Sequence, residues 1–94
     1  MKQRSEDTKS WWDRFRSLLD DQYDWPATYL FKFIVPKERV DDLRAVLGDD
    51  VPVTIRASSR GRYHSVTANI AMDSADDVIS IYNAAAKVDG VVSL

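Results

Sequence analysis

Val51-Pro52-Val53-Thr54-Ile55-Arg56-Ala57-Ser58-Ser59-Arg60-Gly61-Arg62-Tyr63-His64-Ser65-Val66-Thr67-Ala68-Asn69-Ile70-Ala71 reads as two strands and the turn that joins them. In the first half Val51, Val53, Ile55 and Ala57 alternate with Pro52, Thr54, Arg56 and Ser58, and from Tyr63 onward the apolar set is Val66, Ala68 and Ile70. Alternation at period two marks a half-buried strand. Ile55 must share a side with Val66, and Val53 with Ala68, because a slip of one residue would carry one apolar set into water. That register sets Ser59 opposite Arg62. It leaves Arg60-Gly61 as the turn, or 59–62 as a slightly wider loop, with Gly61 supplying the positive φ.

On the N-terminal side of this hairpin, Ala27 to Val35 is rich in aromatic and β-branched residues and reads as a strand buried on both faces. Tyr29, Phe31, Phe33 and Val35 point one way; Thr28, Leu30, Lys32 and Ile34 point the other. Pro36 suits the first turn of a helix whose stripe is Val40, Leu43, Val46 and Leu47 and which Gly48 ends. Beyond the hairpin, Ser74 is placed to cap a helix with Asp76 and Asp77 in its first turn, Val78, Ile79, Tyr82, Ala85 and Ala86 on its buried face and Gly90 as its stop. Val91 to Leu94 makes a short last strand. The order β-α-β-β-α-β with right-handed crossovers gives an α+β, ferredoxin-like fold, the α–β plait. It predicts a four-stranded antiparallel sheet in the order 4-1-3-2 with both helices on one face. Its expected core is Phe31, Phe33, Leu43, Val53, Ile55, Val66, Ala68, Ile70, Val78 and Tyr82. The other sheet face is expected to carry Lys32, Thr54, Arg56, Ser58, Tyr63, Ser65, Thr67 and Asn69, together with Leu30 and Ile34.

Ahead of this unit, residues 1–9 are polar and expected to be irregular. Ser10 is the expected N-cap of an amphipathic helix over 10–21, with Trp11, Trp12, Phe15, Leu18 and Leu19 at helical spacing, and Asp24-Trp25-Pro26 ends it. The helix has two readings: a lid over Leu30 and Ile34, or an anchor for a partner, since tryptophans are frequent at interfaces. The chain divides into a tail and helix at 1–24 and the folded domain at 25–94.

Composition bounds the function. Ninety-four residues make one domain, and 45% hydrophobic residues suffice for a core. Thirteen Lys and Arg against fifteen Asp and Glu leave a net charge of −2, the reverse of what coating a phosphate backbone requires. The absence of cysteine excludes disulfides, thiol catalysis and thiolate metal sites. No segment has the apolar core of a signal peptide or the roughly 20 apolar residues of a membrane span, so the cytoplasm is the expected location.

Nothing reads as a catalytic site. His64 is the one histidine and lies at the rim of the core side, without an acid beside it to orient it or share a metal. Ser58, Ser59 and Ser65 lack the surroundings of a nucleophile, and Asp41-Asp42 and Asp76-Asp77 are neighbours that diverge on their helices. No enzyme, no metal and no cofactor is expected. What stands out is charge: Val51 to Met72 holds no acid, while Arg56, Arg60, Arg62 and His64 gather about Ser58, Ser59, Gly61, Tyr63 and Ser65. Guanidinium forks, hydroxyls and turn N–H groups together suit a carboxylate or phosphate. Arg60 to Val66 bears a superficial likeness to the third-strand motif of RRM domains. Those domains need stacking aromatics on both central strands, and Tyr63 is the only aromatic on the outer face here.

Ser58-Ser59-Arg60-Gly61-Arg62-Tyr63-His64-Ser65-Val66-Thr67 also resembles the Ser-Ser-Lys/Arg-Gly-x-Tyr-x-Ser-Val signature of the small bacterial YbeD-like family, whose function is unknown. Pro26, Tyr29 and Lys32 on the first strand, Ile81-Tyr82 and Gly90-Val91 add to the likeness, which covers about 25–94. Ala57 stands where that family usually has proline, the first core helix is short, and the N-terminal helix is an extension. The resemblance implies a fold like the ACT-type regulatory domains of amino-acid metabolism and a link to lipoate metabolism. The resulting expectation is a non-enzymatic regulatory or small-ligand-binding module that uses the hairpin for an anionic metabolite or an acidic protein surface. The runner-up is an interaction adaptor using the outer sheet face and the Trp-bearing helix, and RRM-like RNA binding comes third. Short edge strands at 51–57 and 91–94 further suggest a homodimer.

Overall fold

The structure, a computed structural model, describes residues 2–94, with side chains from Ser10 onward. The chain runs α1 (Lys2–Gln22), β1 (Ala27–Pro36), a 3-10 turn (Lys37–Arg39), α2 (Val40–Leu47), β2 (Thr54–Ala57), β3 (Tyr63–Met72), α3 (Ala75–Ala85) and β4 (Val92–Ser93). Every strand pairing is antiparallel, and the sheet order is β2-β3-β1-β4, which read from the opposite edge is 4-1-3-2. This is an α+β chain of three helices on a four-stranded sheet, consistent with a ferredoxin-like fold.

The central pair explains the core. β1 and β3 run side by side from Ala27↔Met72 to Pro36↔Tyr63, so Phe31 meets Ala68, Phe33 meets Val66 and Val35 meets His64. Phe31, Phe33, Val35 and Val66 are fully buried, as are Leu43 of α2 and Val78 of α3. Burying each such side chain is worth about 1.5–3 kcal/mol. The hairpin register carries the same parity, with Ile55 opposite Val66 and Arg56 opposite Ser65.

Several expectations change. β1 is not buried on both faces: Leu30 is 53% exposed and Lys32 is also in solvent, because all three helices stack on one side. β2 starts at Thr54 rather than Val51. Ile55, expected in the core, is 38% exposed because β2 forms the edge beyond the cover of the helices. Val53, Ile70 and Tyr82 are half-buried, while Val35, Leu47, Met72, Ala75, Ile79, Ala85 and Val88 join the core. Pro36 closes β1 and is followed by a 3-10 turn, so α2 itself begins at Val40. α3 ends at Ala85, five residues short of Gly90; that glycine, at φ 77°, instead turns the chain into β4, where a Cβ would lie 2.7 Å from Pro36 Cγ. Ser74 does cap α3, its Oγ accepting from the Asp77 N–H at 3.1 Å, a bond typically worth about 1 kcal/mol.

α1 departs furthest from expectation. It begins at Lys2, so its backbone is helical through residues expected to be irregular and Ser10 lies inside it rather than capping it. The expected state of Met1 lies outside the described residues. The helix does not cover Leu30 and Ile34. It packs beside α3, with Leu19 buried in the core, the Phe15 ring 5.8 Å from that of Tyr82, and Arg16 Nε donating to Asp76 Oδ1 at 2.7 Å. Asp76 raises the Arg16 pKa above its ordinary value, first through that hydrogen bond and then through its charge.

Candidate functional site

The β2–β3 hairpin is closed by the Ser58 N–H donating to the Tyr63 carbonyl at 2.8 Å, and the Tyr63 N–H reaches back to Ser58 Oγ at 3.4 Å. Within the loop the Gly61 N–H donates to the Ser58 carbonyl at 2.9 Å, so the turn centres on Ser59-Arg60 and the wider 59–62 loop is the form adopted. Gly61 follows that turn at φ 76°, with nothing within 4 Å of where a Cβ would stand. The Arg62 carbonyl accepts from the Lys37 N–H at 3.0 Å, tying the loop to the end of β1.

The structure separates the nine expected site residues into three groups. Arg56, Tyr63 and Ser65 lie on the outer face of the sheet, away from the helices, with Ser58 closing the hairpin beside them. Ser59, Arg60, Gly61 and Arg62 project at the rim. His64, between Ala57 and Val35, faces the helix side and is half-buried. They do not converge on one concave site, and they line neither the groove along α1 at Trp11, Phe15 and Leu18 nor the one between α1, α3 and β1. Ser58 Oγ is engaged with the Tyr63 amide. Among the described residues no His, Asp and Glu cluster has the makings of a metal site.

What the hairpin does join is a face. Arg56, Ser65, Ile34 and Val92 form one continuous rung across all four strands. Thr54, Thr67 and Lys32 form the next, and the Leu94 N–H donates to the Lys32 carbonyl at 2.9 Å. Asn69–Leu30 and Ala71–Thr28 complete it. Among the described residues the face holds two cationic side chains, no side-chain carboxylate, and an apolar group in which Leu30, Val92 and Leu94 are 53%, 52% and 60% exposed. Among the described residues Arg56, Arg60 and Arg62 have no ion-pair partner, whereas Arg16 and Arg39 each pair with two aspartates.

A second concentration of chemistry lies on the helix side. Trp11, Trp12 and Phe15 of α1, Tyr82 and Asn83 of α3 with Ala86 just beyond it, Tyr29 of β1, and Ser93 and Leu94 border a groove of about 480 Å³. The Tyr29 and Tyr82 hydroxyls are 3.1 Å apart. Burial, and then the bond to Tyr29, push the Tyr82 phenol well above its ordinary pKa. Sequence reading missed this site because it is assembled from four elements. The available signal was the aromatic stripe Trp12-Phe15 together with two tyrosines on core-facing positions.

Fold and site thus define a small α+β chain whose open sheet face carries Lys32 and Arg56 and no acidic side chain among its described residues. Residues 20–94 match the family described as "Protein of unknown function (DUF493)". A UPF0250 protein of Shewanella loihica is 35% identical over 85 residues, which cover 83% of this chain and 91% of that protein. A UPF0250 protein of Shewanella putrefaciens is 32% identical over 80 residues, covering 78% and 90% respectively. The chain belongs to this YbeD-like family of unknown function. No solved structure matches it.

Proposed function

We propose that this chain is a non-catalytic interaction module, ACT-like in the arrangement of its βαββαβ core, that presents the outer face of its sheet to an acidic protein surface and acts as a regulatory adaptor. The observation that carries this reading is the partition of charge: among the described residues Lys32 and Arg56 on the face and Arg60 and Arg62 at its rim stand without side-chain carboxylates, beside exposed Leu30, Val92 and Leu94. Unpaired guanidinium groups next to apolar surface suit a partner that brings both carboxylates and aliphatic side chains. Charges within about 10 Å act together at 0.1 M salt, so neighbouring rungs of the sheet add.

Flatness favours a macromolecular partner over an anionic metabolite. Small-molecule sites are concave, and the hairpin borders neither groove. RNA is disfavoured because Tyr63 is the one aromatic side chain on the face. The same charges oppose a face-to-face homodimer, since cations would meet cations; an edge-to-edge pair through β2 avoids that conflict.

The test maps amide shifts of the labelled chain on titration with a short peptide alternating Glu and Leu, with citrate as the small-anion control. Shifts at Arg56, Tyr63, Ser65 and Thr67 that weaken with salt and with Arg60→Ala/Arg62→Ala are expected. Shifts confined to other surfaces, or equal in the double variant at low and high salt, would reject this reading. Citrate shifting the loop while the peptide shifts nothing would restore the metabolite.

A further inference from the structure

We propose that the groove between α1, α3 and the β1–β4 edge is a binding site for an uncharged, ring-bearing small molecule with one carbonyl-type acceptor. This site lies on the helix side and meets the sheet face only at Leu94. The groove of about 480 Å³ lies within the range of small-molecule sites. Among the described residues no charged side chain borders it: its walls are the rings of Trp11, Trp12 and Phe15, with Tyr29, Tyr82 and Asn83 as polar points. A charged ligand would lose its hydration there with no counter-charge to replace it.

The hydroxyl pair defines the ligand further. Two phenols carry two protons, and the 3.1 Å bond between Tyr29 and Tyr82 uses one. The remaining proton has no other acceptor among the described residues. The hydroxyls are part-buried, and a ligand that displaces water from the groove must accept this proton with an oxygen or leave the donor unmet, which costs more than a bond gains. The Tyr82 phenol carries its proton at neutral pH, as a tyrosine ordinarily does, and burial and the bond to Tyr29 raise its pKa further. The tryptophan and phenylalanine rings favour a flat partner, since aromatic pairs add stacking to their buried area. Trp11 stacks on Phe15 at 5.4 Å and meets Trp12 edge-on at 4.8 Å, so the wall presents ring faces and edges at right angles.

The experiment titrates the full chain with 2-acetylnaphthalene, naphthalene and 2-naphthoate, followed by saturation-transfer NMR and by tryptophan fluorescence. The ketone should bind saturably, about tenfold more tightly than the naphthoate. Tyr29→Phe/Tyr82→Phe, which keeps both rings, should bring the ketone down to the affinity of naphthalene while the fold, read by its melting temperature, is kept. Ala86→Phe fills the groove from an exposed position with ordinary helical backbone and should abolish binding of all three. The proposal is overturned by no saturable ketone binding at about 1 mM, by naphthoate binding as tightly as the ketone, or by ketone binding that Ala86→Phe leaves unchanged. It is equally overturned if the wild type sediments as a dimer that Ala86→Phe dissociates, because the groove would then be filled by a second copy.

Discussion

The β2–β3 hairpin and the groove beneath α1 hold the molecule's two concentrations of chemically capable side chains, and they are built in opposite ways. The hairpin draws on ten consecutive residues, all but His64, Ser65 and Gly61 of the expected site residues are exposed, and its arginines stand without ion-pair partners among the described residues. The groove draws on α1, β1, α3 and β4, brings Tyr29 within 3.1 Å of Tyr82 across 53 positions of sequence, and rests on the core. Charge at the hairpin is available because nothing packs against it. The hydroxyl pair in the groove is held because everything around it is packed. The hairpin should therefore tolerate substitution with little loss of stability, whereas substitutions towards the core should not.

The largest effect expected from that contrast comes from Phe33, fully buried between the central strands and the helices. Phe33→Ala should cost about 3–5 kcal/mol, a large share of the total stability of a small domain. Arg60→Ala/Arg62→Ala should stay within about 0.5 kcal/mol. Urea denaturation of the two variants beside the wild type checks both. A similar loss in both would mean that the loop arginines carry part of the fold and that the contrast is false.

A smaller loss is expected inside the hairpin itself. Gly61 sits at φ 76° in open space, so Gly61→Val meets backbone strain without a clash. The expected cost is about 1–2 kcal/mol, with amide shifts confined to 58–63 and the core resonances unmoved. Loss of the whole β2–β3 pairing, seen as exchange of the Arg56 and Ser65 amides with solvent, would show that the turn holds the edge strand in register. Equal stability to wild type would show that the loop relaxes into another form.

How much of this was legible follows from the range of each signal. The order βαββαβ, the pairing of Ile55 with Val66 and the Ser74 cap all rest on local patterns: period-two alternation, glycine at a positive φ, and a hydroxyl just before a helix. The position of α1 does not. Periodicity identified the stripe of Trp12, Phe15 and Leu19 but not its partner, and exposed Leu30 with half-buried Ile34 offered an alternative partner on the other side of the sheet. Two apolar surfaces of similar size look alike in a sequence; the one next to Tyr82 won because it completes a core already closed on that side. The grouping of the arginines was legible as composition. Their division between face and rim was not, because it depends on where the four-residue loop leaves the sheet.

The smallest effect expected tests the packed side of the contrast through pH. Burial, first, and the hydrogen bond and charge of Tyr29, with a lesser effect of Tyr23, raise the Tyr82 pKa in the folded protein. In the unfolded chain the phenol ionises near pH 10. A group whose folded pKa is raised contributes stability that is present in full below its unfolded pKa and lost as pH climbs through the folded one. Between those values the unfolded state has released a proton that the folded state still holds, so stability falls with rising pH by at most about 1.4 kcal/mol per unit. Solvent screening reduces that slope because the ring is only half-buried. Tyr82→Phe removes the titrating group and keeps the ring contacts with Phe15 and Phe31, so its stability measured by urea denaturation from pH 8 to about 11 should fall less steeply than that of the wild type above pH 10. Parallel curves would mean that the phenol ionises freely in the folded protein, and the groove would then be as open to water as the hairpin.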